Sequence, residues 1–191
     1  MELFENQYRI ETTRLIGRDY AEAGTYLVTM CTQGRENLFG EIRNENMVLN
    51  PIGCVVAEEI LKTPMLRPNV AIDTWIVMPN HVHVIVEILP SCEMDVVETC
   101  RRHVSTDAAI LVPLCRPRPR SLGAIIGHIK ASATKRIWAA GYQDFRWQPR
   151  FYDSILRTER AVDNARSYVM MNPVMWHRDR NNQQPEMGVR H

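Results

Sequence analysis

His81 and His83 stand two residues apart in Trp75-Ile-Val-Met-Pro-Asn-His-Val-His-Val-Ile-Val86, an apolar run rich in β-branched residues. Alternate side chains of a strand share a face, so the two imidazoles point one way while Val82, Val84 and Val86 point into the opposite layer. Two imidazoles converging from one strand can grip one metal ion. Glu87 shares the face of His83, but at about 3.3 Å per residue it lies about 13 Å further on, so a third ligand must come from elsewhere. A histidine in a strand is commonly a hydrogen-bonded, half-buried side chain without a ligand role, and the pair gains meaning only from its company.

A second constellation lies near the C-terminus. Thr158 caps a helix with Glu159 in its first turn, where the macrodipole favours a carboxylate. Val162, Ala165 and Val169 mark its packing stripe, and Asn164, Tyr168 and Asn172 form an i, i+4, i+8 row beside it. Tyr168 and Asn172 therefore project from one flank. Pro173 forbids further regular helix and is expected to push Asn172 out of the α region, with its amide oxygen reaching outward. From the residues alone, Asn172 could equally cap the helix and Tyr168 be a core-edge aromatic with a bonded hydroxyl.

The elements that must position these groups follow from pattern. Gly24 to Gln33 is rich in strand formers. Asn50-Pro51 starts a helix whose Ile52, Val55, Val56, Glu59 and Ile60 keep helical spacing to about Lys62, with Thr63-Pro64 and Arg67-Pro68 expected to close it. Val70 to Met78 and His81 to Leu89 form an antiparallel hairpin about Pro79-Asn80. Ser121 caps a helix with Leu122, Ile125, Ile126, Ile129, Ala133 and Ile137 at i, i+3, i+4 and i+7, and Lys130, Lys135 and Arg136 on the other face. Phe151 to Leu156 is the last strand. The order strand, helix, strand, strand, helix, strand, helix makes an α+β protein: a ferredoxin-like βαββαβ sandwich with an antiparallel sheet plus an extra C-terminal helix.

Composition bounds the class. The chain has 191 residues, 45% hydrophobic and 24% charged, which suits one globular domain, read as residues 1–176, with an irregular, proline-rich excursion at 91–120 and a polar, flexible tail at 177–191. The N-terminus reads as neither signal peptide nor membrane helix, and a cytoplasmic, soluble protein is expected. The five cysteines form no C-x-x-C pair, and a zinc cluster of Cys92, Cys100, His103 and Cys115 would match no standard spacing. The overall charge of +1 hides an asymmetry, because residues 1–100 hold 7 basic against 15 acidic side chains and residues 101–191 hold 16 against 7. Of the 23 basic residues 20 are arginine, whose planar fork matches phosphate oxygens in two-point contacts. The basic half is a candidate polyanion surface.

Met78-Pro-Asn-His-Val-His83 together with Ser167-Tyr-Val-Met-Met-Asn-Pro173 resembles the one-tyrosine HUH transposases, most closely the REP-associated tyrosine transposases. The resemblance takes in Thr25-Tyr-Leu-Val-Thr-Met-Cys-Thr32, Leu38-Phe-Gly-Glu41, the helix Leu122 to Trp138, Trp147-Gln-Pro-Arg-Phe-Tyr-Asp153 and Ile155-Leu-Arg157, across most of residues 14–176. Val174-Met175-Trp176 departs from the family, in which a basic residue commonly follows the Asn-Pro pair.

The resemblance implies that His81, His83 and Asn172 hold a divalent cation, Mg²⁺ or Mn²⁺, and that Tyr168 attacks phosphorus to give a 5′-phosphotyrosyl intermediate and a free 3′-hydroxyl. It implies an endonuclease and strand transferase acting on single-stranded DNA beside a hairpin, as a monomer or homodimer. Arg14, Arg18, Lys130, Arg146, Trp147, Arg150 and Arg157 are the candidate DNA contacts. The alternatives are a domesticated hairpin-binding protein that no longer cuts, and a metallohydrolase that attacks with water. Tyr142 and Tyr152 are the competing nucleophiles.

Overall fold

The computed structural model describes residues 20–90, 120–179 and 181–182. Arg14, Arg18, Cys92, Cys100, His103 and Cys115, nearly all of the excursion and the end of the tail lie outside the described residues.

In chain order the elements are β1 (Gly24–Cys31), β2 (Gly40–Arg43), β3 (Asn46–Leu49), α1 (Pro51–Leu66), β4 (Val70–Val77), β5 (His81–Ile88), α2 (Leu122–Ala139), β6 (Tyr152–Leu156) and α3 (Glu159–Met171). Four strands make one antiparallel sheet in the order β4-β5-β1-β6, and β2 pairs with β3 alone. The sheet with α1 and α2 is the expected βαββαβ sandwich, and α3 is the added helix.

The two faces of the sheet are covered differently. Val82, Val84 and Val86 of β5 join Tyr26, Val28 and Met30 of β1 in the main core, packed with Val56 and Ile60 of α1 and Ile125, Ile126 and Ile129 of α2. Glu59 and Arg136 link these helices at 2.7 Å. Burial raises the Glu59 carboxyl, but its contacts with Arg136 and Lys62 outweigh that and leave it below its ordinary value. On the opposite face Ile85 meets Ala165 and Val169 of α3, with Leu27, Ile76 and Leu156 around them. The alternation of β5 thus assigns His81 and His83 to the α3 side.

Each long helix begins where a side-chain cap predicts. Asn50 accepts from the Gly53 N–H, Ser121 from Ala124 and Thr158 from Ala161. Helix α1 does not stop at Lys62 but runs through Pro64 to Leu66. Proline so near the C-terminal end forfeits one helical bond, and the Arg67 N–H closes the last turn on the Thr63 carbonyl at 3.0 Å. The β2–β3 hairpin was not expected. Its tip holds Asn44 and Glu45 at φ 49° and 61°, a left-handed pair without the glycine that usually marks such a turn. Gly40, at φ 140°, admits no side chain, since a Cβ there would lie 2.1 Å from the Val48 carbonyl oxygen.

A charged clamp reinforces the docking of α3. Arg166 Nε lies 3.1 and 3.0 Å from the two Asp73 carboxylate oxygens, Nη2 adds a 2.6 Å contact, and Nη1 reaches Asp163 at 2.9 Å. Asp73 sits where the β4–β5 register shifts between Ile72 and Trp75, so the irregularity aims its carboxylate at the helix.

Two outcomes follow from this packing. Ile85→Ala empties the contact beneath α3 and should cost roughly 2–5 kcal/mol of unfolding free energy in urea titrations; an unchanged midpoint would mean that α3 is not packed there. Hydrogen bonding to Arg166 holds the Asp73 carboxyl below its ordinary value of 3.8. The stability this adds is complete above that value and is lost as pH falls through the lower, folded one. Arg166→Ala should therefore be less stable than the wild type at neutral pH, and the two stability curves should converge below about pH 4.

Candidate metal and tyrosine site

Because β1 and β5 pair with Thr29 opposite His83 and Cys31 opposite His81, the histidine face of β5 is continued by Thr29. Thr29 Oγ1 lies 2.9 Å from His83 Nδ1. His81 Nδ1 lies 2.9 Å from Asn80 Oδ1. With both Nδ1 atoms engaged, both Nε2 atoms turn inward and approach to 3.0 Å. Both rings are buried, with 0% and 2% exposure.

Helix α3 brings the tyrosine. The Tyr168 hydroxyl is 3.3 Å from His83 Nε2 and its ring meets the His83 ring edge-on, with centroids 5.0 Å apart. Tyr168 as a residue remains 46% exposed beside the two buried imidazoles. All of this comes from one chain.

A third ligand candidate enters from beyond α3. After a short 3₁₀ turn at Trp176–Arg178, Asp179 directs Oδ2 to within 3.9 Å of His81 Nε2, and its side chain is 6% exposed. Among the described residues, His81, His83 and Asp179 place ligand atoms all within 4.8 Å of one another. Trp176 lies beside the His81 ring, centroids 5.9 Å apart. The Asn181 N–H donates to Asp179 Oδ1 at 2.6 Å, fixing the carboxylate.

Asn172 behaves differently from the expectation in one respect. It keeps helical dihedrals, φ −57° and ψ −41°, because the chain continues in a tight turn in which the Met175 N–H reaches the Met171 carbonyl. Its side chain is nonetheless 3% exposed, and its Oδ1 is buried with no hydrogen-bond partner among the described residues. An unsatisfied buried acceptor costs about 1–3 kcal/mol, which a cation or a bound proton donor would relieve.

The donor set fits a divalent ion. Two ligand nitrogens 3.0 Å apart match neighbouring positions about an ion with bonds of about 2.1 Å. Among the described residues the cluster offers two imidazoles and a carboxylate, nitrogen and oxygen donors that suit a divalent ion.

The remaining candidates divide. Lys130 turns inward, donating to the Gln148 and Arg150 carbonyls at 2.7 and 2.9 Å. Its burial lowers the ammonium pKa to about 8. Trp147 is half-buried in an aromatic cluster with Phe39 and Phe145. Arg146 lies over the Trp138 ring at 4.8 Å and donates to the Gln143 and Phe145 carbonyls. Arg150 and Arg157 are exposed, as are Tyr142 and Tyr152. Asp179, Thr29 and the side-chain role of Asn80 were not foreseen. Thr29 was detectable as the residue facing His83 once strands were paired, whereas nothing local marks Asp179.

A cleft of about 390 Å³ opens between the β2–β3 hairpin and the turn after α3, lined by Glu41, Glu45, Pro79, Pro173, Trp176 and His177. Among the described residues no helix is long and apolar enough to cross a membrane.

No family model matches this sequence. An uncharacterised protein of Haemophilus influenzae is 32% identical over 168 residues, covering 87% of this chain and 89% of its own. Among solved structures, the REP-associated tyrosine transposase bound to a REP hairpin superposes with TM-score 0.55 at 21% identity, over 86% of this chain and 74% of that one. A candidate transposase from Deinococcus radiodurans reaches only 0.45 at 13% identity. The chain belongs to the same family as the Haemophilus influenzae protein, on a fold shared with the REP-associated tyrosine transposase.

Proposed function

We propose that this protein is a metal-dependent, tyrosine-based DNA strand transferase of HUH type, which cuts single-stranded DNA beside a hairpin. The observation that carries the reading is the Tyr168 hydroxyl at 3.3 Å from His83 Nε2, itself 3.0 Å from His81 Nε2. A nucleophile stands against a paired-imidazole ligand set.

In this reading Tyr168 Oη attacks the scissile phosphorus. The new P–O(Tyr) bond replaces the P–O3′ bond, and the departing 3′-oxygen takes a proton to become a free hydroxyl. A diester is exchanged for a diester, so the strand can be rejoined to another 3′-end without ATP. A phenol titrates near 10, and the imidazole pair or the cation it holds is the group within reach to assist its ionisation. Held by His81, His83 and Asp179 or Asn172, a divalent cation would supply Lewis-acid polarisation of the phosphate.

The substrate class rests on charge and on likeness. The fold neighbour is bound to a REP hairpin, and the C-terminal half of this chain holds 16 basic against 7 acidic residues. Arg146, Arg150 and Arg157 are the exposed residues proposed to meet phosphates.

Incubation with Mn²⁺ and labelled hairpin oligonucleotides from the protein's own genomic flanks should give an SDS-resistant DNA adduct. Tyr168→Phe and His81→Ala should abolish the adduct, with Tyr168→Phe still binding the hairpin. Cleavage that survives Tyr168→Phe would establish water as the nucleophile, and binding without any adduct would establish a non-cleaving protein. Hairpin affinity should fall log-linearly with salt, with a slope of about 0.7–0.9 per phosphate contacted. A flat profile would contradict the arginine contacts.

A further inference from the structure

We infer that Asn80 is the positioning residue that assembles the metal-binding cluster, fixing the tautomer of His81 and tethering the segment that supplies Asp179. The inference deepens the proposed function and rests on its metal site.

Asn80 is fully buried and every polar atom of its side chain is used. Nδ2 donates to the Arg35 carbonyl at 2.9 Å and to the Asn181 carbonyl at 2.7 Å. Two carbonyl acceptors can face only the amide nitrogen, so the amide orientation is determined and Oδ1 is the atom that faces His81. Oδ1 cannot donate. His81 Nδ1, 2.9 Å away, must carry the proton, which in the neutral ring leaves the Nε2 lone pair directed at His83 and Asp179.

The same amide holds the other side of the site. Its bond to the Asn181 carbonyl ties the chain after α3 to the β4–β5 turn across 101 residues of sequence. The Asn181 N–H in turn holds Asp179 Oδ1 at 2.6 Å, leaving Oδ2 toward His81. The path from His81 Nδ1 through Asn80, Asn181 and Asp179 back to His81 Nε2 is a closed ring of contacts. The backbone of Asn80 is secured separately, its carbonyl accepting from the Thr32 N–H at 2.9 Å and the Thr32 hydroxyl at 3.0 Å. Substitution of the side chain therefore leaves the turn anchored.

The test is two-bond ¹⁵N–¹H NMR on metal-free, ¹⁵N-labelled full-length protein, paired with Mn²⁺ titration by calorimetry. The wild type should show His81 as the Nδ1–H tautomer. Asn80→Ala should lose that single tautomer, Asn80→Asp should keep it while losing the donation to the Arg35 and Asn181 carbonyls, and both should weaken Mn²⁺ binding about 10–100-fold. A wild-type Nε2–H tautomer, which needs no variant to fold, would overturn the inference. So would variants that keep both the tautomer and the affinity. Neither readout involves DNA, so a protein that binds Mn²⁺ as described yet forms no DNA adduct would refute the proposed function and leave this inference standing.

Discussion

The two-residue repeat of β5 is the constraint on which the rest depends. Val82, Val84 and Val86 are fully buried under α1 and α2, and that burial locks the strand's register, because a slip of one residue would send three valines to the α3 face and two imidazoles into the main core. The hydrophobic layer therefore specifies the polar one. Every other part of the site is placed relative to that strand: Thr29 by the β1 pairing, Tyr168 by the packing of α3 on Ile85, and Asp179 by the bond between Asn80 and Asn181.

Burying two histidines and a carboxylate side by side is costly unless each is bonded. The site meets that condition with a hydrogen bond at each Nδ1 and a backbone N–H on Asp179. The Nε2 pair at 3.0 Å is then satisfied by one shared proton or by a cation. Tyr168, exposed as a residue, stands at the edge of this polar core. In the proposed function the two imidazoles are the ligand pair and the phenol the nucleophile; stability alone would favour apolar residues at these positions.

Much of the fold was legible because periodicity carries it. The β5 alternation, the apolar stripe of α2 from Leu122 to Ile137 and the capping residues Asn50, Ser121 and Thr158 all act locally and read directly from sequence. Hairpin β2–β3 was not legible, because its strands of four residues are half-exposed and its turn lacks glycine. Pro64 read as a stop, although one missing bond in a final turn is tolerated. Asp179 was beyond reach for a different reason: its place is set by a contact made 101 residues away in sequence. Lys130 read as a candidate DNA contact, yet two backbone carbonyls draw it inward.

The most direct test of the central claim is to trap the covalent DNA–protein species, digest it with nuclease and trypsin, and locate the nucleotide by mass spectrometry. The nucleotide is expected on the peptide Ser167–Arg178, at Tyr168. A nucleotide on the peptide carrying Tyr152 or Tyr142 instead would contradict it.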